Sequence, residues 1–449
     1  MKTTTDMTEG KPVRLILSFA VPMMFANIFQ QFYNVFDSLV VGRLIGVNAF
    51  AAVGAAGFYS WMIISIILGM VQGYSVLYAH RFGAGDIQGL RKAIGMTVIL
   101  SLVIGILLTL ISILCAKPIL NMIHTPDEIM EDTRKYLYWL LAGTLFTLAY
   151  NVTASILRAL GNSKAPLLAV VLSSITNIVL DLILIGRFHM GVDGAAISTV
   201  FATLCSFLYC LRKLHDIKPI HLCRSDFRID SDVIKELLRL GSPLAFRNAV
   251  ISFGGLTVQY AVNGFGTLFV AGTTAAKKYF GIMELVGSSI DGAFATFVGQ
   301  NYGKGSLLRI KEGLHSVRRL ALAGSAIMAL FMIVFGRILI GFLVSGDAVE
   351  VNNLIDIGYR NITVIALCLP ALYLLYLYRS ALQGMGNTVI PMLSGFIELA
   401  LRIFSALLLS KVIREWGVYL ADGIGWIGAG ALLFTAYQLT MKHLKDALY

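Results

Sequence analysis

Apolar runs of membrane length recur along the whole chain, separated by short turns rich in Gly, Asn, Asp, Lys and Arg. A helix of about 20 apolar residues crosses the ~30 Å hydrocarbon core. Only helices and closed barrels can span lipid with every backbone group satisfied, and runs this long exclude a barrel. The pattern predicts twelve spans, at 13–36, 47–80, 93–116, 134–158, 165–186, 191–212, 240–263, 269–299, 317–343, 355–380, 387–410 and 422–440. In the first, Asn27, Gln30, Gln31, Asn34, Asp37 and Ser38 share one helical stripe, while Met23, Met24, Phe25, Phe29, Phe32 and Phe36 cover most of the remainder. A carboxylate in a bilayer costs about 2.5–3.5 kcal/mol on insertion scales, so it faces a cavity and marks an ion or proton function. Asp37 is such a residue, set against the alternative of a helix-end aspartate among headgroups.

Composition agrees with a polytopic membrane protein: 449 residues, 57% hydrophobic, 14% charged, with a mean hydropathy of +0.79. The net charge of +11 is not a nucleic-acid signature, because its distribution follows the bilayer. Most Lys and Arg residues fall in segments placed inside when the N-terminus is cytoplasmic, and Arg247, Lys277, Lys278 and Arg402 are assigned to span interiors. The positive-inside rule then predicts a multi-pass protein of the inner cell membrane with both termini in the cytoplasm. External connections are acidic, as at Asp127, Glu128, Glu131 and Asp132. The five cysteines have neither metal nor disulfide spacing, and Met1 to Gly10 is expected to be retained rather than cleaved as a signal peptide.

A phrase in the first half returns in the second. Leu157 to Leu168 (LRALGNSKAPLL) matches Leu382 to Leu393 (LQGMGNTVIPML), aligning Gly161, Asn162 and Pro166 with Gly386, Asn387 and Pro391. Pro22 falls on Pro243, Gly83 on Gly303 and Gly85 on Gly305. An offset near half the length predicts two lobes of six spans, residues 1–212 and 233–449, joined by a basic cytoplasmic linker over 213–232. Six is even, so the repeats are parallel, related by an axis along the membrane normal. The fold class is therefore an all-α integral membrane protein of twelve transmembrane helices in two pseudo-symmetric six-helix lobes.

Asn177 and Asp181 stand one helical turn apart in span 5, and GVDGAAIST places Thr199 about two turns into span 6. With Asp37 and Asn151 they form an oxygen-rich group in one lobe, suited to Na⁺ at Asp37, Asn177 and Asp181 or to H⁺; the alternative is a satisfied polar network between helices. The second lobe has Val258 or Gln259 in place of Asp37, Arg402 in place of Asn177 and Ala406 in place of Asp181. Its charged positions include Arg247, Lys277, Lys278, Glu284, Asp291, Glu398 and Arg402, with Glu398 and Arg402 spaced to pair. Glu284 and Asp291 could meet Arg247 or a cationic substrate.

The span from Pro22 to Gly46, the LRALGN turn, the NIVLD helix and the GAAIST start, in their order and spacing, resemble the multidrug and toxic compound extrusion (MATE) family over the whole chain. The resemblance implies a cation-coupled exporter using rocker-type alternating access, with its N-lobe site at Asp37, Asn151, Asn177, Asp181 and Thr199. It also implies amphipathic, often cationic substrates. Arg247 stands in span 7, where NorM-like members carry an acid, which places this chain nearer the DinF-like and MepA-like branch. Gln30, Gln31, Asn34, Phe29, Phe36, Trp61, Arg247, Glu284 and Asp291 are the expected cavity residues.

A monomer among membrane lipids is expected, with no cofactor beyond the coupling H⁺ or Na⁺ and no nucleic acid. The alternative within transport is a lipid-linked precursor flippase, with Arg247, Lys277 and Lys278 on a pyrophosphate. An enzyme is not expected: no phosphate loop occurs, and none of the seven histidines stands in a metal motif.

Overall fold

A computed structural model describes residues 4–122, 125–343 and 348–446. The described chain is helical throughout, with no strand. The helices are α1 Pro12–Leu44, α2 Val47–Gly83, α3 Ile87–Met122, α4 Asp127–Ala142, α5 Thr144–Ala159, α6 Lys164–Asp181 and α7 Gly191–His215, followed by α8 Ser231–Asn263, α9 Thr267–Gly303, α10 Leu307–Phe342, α11 Ala348–Gly384 and α12 Val389–Ile403. Two short helices, α13 Ser410–Ile413 and α14 Glu415–Tyr419, precede α15 Ala421–Asp446. Among the described residues ten helices are long and apolar enough to cross a membrane, or eleven counting α4 and α5 as one broken span. The twelfth expected span, α8, is 33 residues long but falls short on apolar composition. Arg247, Asn248, Gln259 and Asn263 lie within it. Outward-facing rows such as Leu102, Ile106, Leu107, Leu110 and Leu114 of α3 are exposed, as a lipid-facing surface requires.

The span expected at 134–158 bends by 44° between α4 and α5. The break falls at Gly143, where a Cβ would stand 2.5 Å from Val200 Cγ2 of α7, so only glycine admits that neighbour. The repeat is legible in the turns. Gly161 and Gly386 adopt φ of 80° and 86°, and the following Asn162 and Asn387 side chains accept N–H groups three residues on, from Ala165 at 3.0 Å and Ile390 at 3.2 Å. Positive φ at a helix C-terminus is glycine's conformation, and the asparagine then caps the next helix. Both α6 and α12 run directly into π-helical segments, Leu182–Arg187 and Phe404–Leu409.

The chain forms two compact units. The first holds the residues up to Glu9, Ser18–Ala245 and Gly303–Gly305; the second holds Gly10–Leu17, Phe246–Tyr302 and the described chain from Ser306 onward. The linker and the first half of α8 thus pack with the N-terminal lobe. Gly69 and Gly73 of α2 make room for the α8 backbone at Leu244 and Leu240, and Cβ atoms there would stand 2.5 and 2.3 Å from those carbonyl oxygens.

Asp226 pins the linker. Its Oδ2 accepts from Cys223 N–H at 2.7 Å and from Arg91 Nε and Nη2 at 3.1 and 2.8 Å. Burial pushes the carboxyl's pKa up, but the Cys223 N–H and the Arg91 guanidinium outweigh it and hold the group below its ordinary value. A depressed folded pKa contributes stability above the unfolded value, about 3.9, and that stability is lost as pH falls through the folded value. The linker is expected to stay docked down to about pH 4 and to release below it. Asp226→Asn should release it at neutral pH, with proteolytic cleavage within residues 213–232 as the readout.

Candidate functional site: a facing pair of carboxylates in the N-terminal lobe

Asp37 sits near the C-terminal end of α1, and Asp181 ends α6 where the helix widens into its π-helical turn. Asp37 is 7% exposed and Asp181 is fully buried. Their carboxyl groups interact directly, and the phenols of Tyr33 and Tyr136 lie within range of both. Ser198 donates to Asp181 Oδ1 in a short hydrogen bond. Asn177 Nδ2 donates to Ser198 Oγ at 3.2 Å and Thr199 Oγ1 at 3.4 Å, and Thr199 Oγ1 lies 3.2 Å from the Tyr33 hydroxyl.

Three oxygens of this cluster are buried without a hydrogen-bond partner: Asp37 Oδ1, Asp181 Oδ2 and Asn177 Oδ1. An ionised carboxylate only accepts hydrogen bonds, so two facing carboxylates need a proton or a cation between them. Two carboxylate oxygens, one amide oxygen and the nearby Thr199 hydroxyl are hard ligands. They fit Na⁺ as well as H⁺.

The sequence is similar to known proteins. The MatE family model matches residues 22–183 and again residues 243–408. The chain belongs to the MatE family. "Probable multidrug resistance protein YpnP" of Bacillus subtilis is 26% identical over 437 residues, 96% of each chain. "Multidrug export protein MepA" of Staphylococcus saprophyticus is 22% identical over 429 residues, 93% of each. In fold, the chain is similar to a crystal structure of a MATE protein in the bent conformation, with a TM-score of 0.92 at 22% identity, covering 100% of this chain and 99% of that one.

The first MatE match contains four of the five expected N-lobe residues, and Thr199 lies just beyond it. The structure brings Asp37, Asn177, Asp181 and Thr199 together. Asn151 is buried in α5, where its amide nitrogen donates to the Thr147 carbonyl one turn earlier at 2.8 Å. Tyr33, Tyr136 and Ser198 join the cluster without having been singled out. Tyr33 precedes Asp37 by one helical turn and Ser198 precedes Thr199 in GAAIST, so a helical reading of those two motifs contains both. Of the expected cavity residues in this lobe, Gln30, Gln31, Asn34, Phe29, Phe36 and Trp61 are all exposed.

The C-terminal lobe of this MatE protein treats its acids differently. Arg402 Nη2 stands 2.7 Å from Glu398 Oε1. Its Nε lies 3.0 Å from Asp422 Oδ1 of α15 but off the hydrogen-bond line, an electrostatic contact rather than a directed bond. Tyr376 donates to Glu284 at 2.5 Å, and the Arg379 guanidinium lies over the Tyr376 ring at 4.5 Å with Nη2 3.9 Å from Asp291 Oδ2. Lys277 Nζ donates to Gln259 Oε1 at 3.2 Å. Arg247 is buried, donates to the Asn248 side chain at 2.9 and 3.2 Å, and runs its stem over Gly395, where a Cβ would stand 2.7 Å from Arg247 Cγ. Arg379, inside the span expected at 355–380, is a further basic residue within a span, besides Arg247, Lys277, Lys278 and Arg402. Its side chain, within α11, is only 11% exposed.

Proposed function

We propose that the protein is a secondary active multidrug exporter. It expels amphipathic or cationic organic compounds by antiport against H⁺ or Na⁺, through rocker-type alternating access of its two lobes. Asp37 and Asp181 carry the coupling ion, with Asn177 and Thr199 supplying further oxygens and Ser198 orienting Asp181. One observation carries this reading: the two buried carboxylates face each other with partnerless oxygens, so an exchangeable cation completes the site. A permanent cation would make it a structural ion pair, whereas a mobile one lets a gradient do work. The names of YpnP and MepA support the export direction and the breadth of substrates. The protein works in the inner cell membrane with both termini in the cytoplasm.

Reconstitution in liposomes with a pH gradient and a Na⁺ gradient imposed separately tests the proposal. One of the two gradients is expected to drive uptake of a cationic dye in the antiport direction. Dye movement insensitive to both would overturn it.

A further inference from the structure

The two lobes repeat one architecture, and the acids at their corresponding ends differ in one physical respect. In the first lobe Asp37 and Asp181 face each other through oxygen atoms. In the second, Glu398 and Asp422 both stand against one guanidinium, that of Arg402, at 2.7 Å from Nη2 and 3.0 Å from Nε. Arg402 is the repeat counterpart of Asn177, at the 225-residue offset that superposes Gly161 on Gly386. Each residue stands shortly before the π-helical end of its helix, Leu182–Arg187 or Phe404–Leu409. The position opposite Asp37, at Val258 or Gln259, carries no acid, and Gln259 instead accepts from the ammonium of Lys277.

The place of Arg402 is built. A Cβ on Gly425 of α15 would stand 3.2 Å from Arg402 Cγ and 3.3 Å from Glu398 Cγ, so a glycine admits the pair against that helix. The charged and titratable groups facing Arg402 are Glu398 on its own helix, Asp422 on α15, Glu284 and Lys277 on α9, and Tyr376 on α11. A guanidinium stays protonated and offers five donors in a rigid fork. Unlike a sodium ion or a proton, it cannot leave.

We propose that Arg402 is a tethered substitute for the coupling cation, filling permanently in the C-terminal lobe the role that an exchangeable ion takes between Asp37 and Asp181. The chain then has one exchangeable cation site rather than two, and removing the Arg402 charge opens a second between Glu398 and Asp422. The inference rests on the N-lobe reading above, and the test separates the two.

Full-length protein carrying Asp37→Asn and Asp181→Asn is compared with the same protein carrying Arg402→Gln in addition. Melting temperatures are read in NaCl against choline chloride at equal ionic strength, and across a pH series. The parent is expected to be indifferent to both. Adding Arg402→Gln should create a saturable stabilisation by sodium or by acid, a rise of about 1–2 °C at concentrations about ten-fold above the dissociation constant. Further substitution of Glu398→Gln and Asp422→Asn should abolish that gain, and Arg402→Lys, which keeps a tethered charge, should never show it.

An Arg402→Gln protein no more responsive than its parent overturns the proposal. So does a gain that survives loss of both acids, or an Arg402→Gln protein that neither sodium nor acid rescues while Arg402→Lys folds. A cation response already present in the parent would instead overturn the N-lobe assignment, and the difference made by Arg402→Gln would still decide the present question.

Discussion

Asp37→Asn and Asp181→Asn, each made singly, are expected to reduce gradient-driven efflux to the level of empty liposomes while the protein folds at least as well as the parent. The two effects part because the carboxylates face each other. Replacing one by an amide relieves like-charge repulsion and adds an N–H donor to its partner, so the folded state loses nothing. Coupling is lost, because the remaining single carboxylate no longer makes a site that must be filled before the lobe can cycle. Efflux under an imposed gradient, normalised to purified monodisperse protein, is the measurement. Wild-type rates in both variants would move the coupling site elsewhere.

Glu398→Gln should show the opposite pattern, a loss of stability with coupling intact. Removing the sole partner of a buried ion costs about 3–5 kcal/mol. Arg402 keeps Asp422 at 3.0 Å, so a smaller loss of about 1–3 kcal/mol is expected, seen as a melting temperature lowered by about 1–3 °C. The ion concentration giving half-maximal efflux should be unchanged. A stable Glu398→Gln protein that has lost its ion dependence would place the coupling ion in the C-terminal lobe.

Much of this organisation could be read from residue order, because membrane helices are set by composition and length. The α6 pair Asn177 and Asp181 and the turn around Gly161 and Asn162 follow from helical spacing and backbone preference alone. What escaped depends on neighbours from other helices. At the bend, the space a Cβ on Gly143 would need is filled by Val200 of α7. Ser198 is a small hydroxyl residue in a helix rich in such residues, and only the arrival of Asp181 from α6 gives it a task. The contact boundary at Ala245 and Phe246 lies inside one continuous helix, because Gly69 and Gly73 draw the first half of α8 onto α2. No local punctuation marks it.

The most direct test of a cation shared between Asp37 and Asp181 is the affinity of purified protein for a fluorescent cationic dye, measured across a pH series and a Na⁺ series. Coupling free energies are reciprocal, so an ion that weakens dye binding must itself be expelled by the dye. The account predicts that dye affinity falls as the coupling ion rises, and that dye binding releases protons or sodium in wild-type protein but not in Asp181→Asn. Dye affinity indifferent to both ions, or a clear preference for lipid phosphates over the cationic dye, would contradict it.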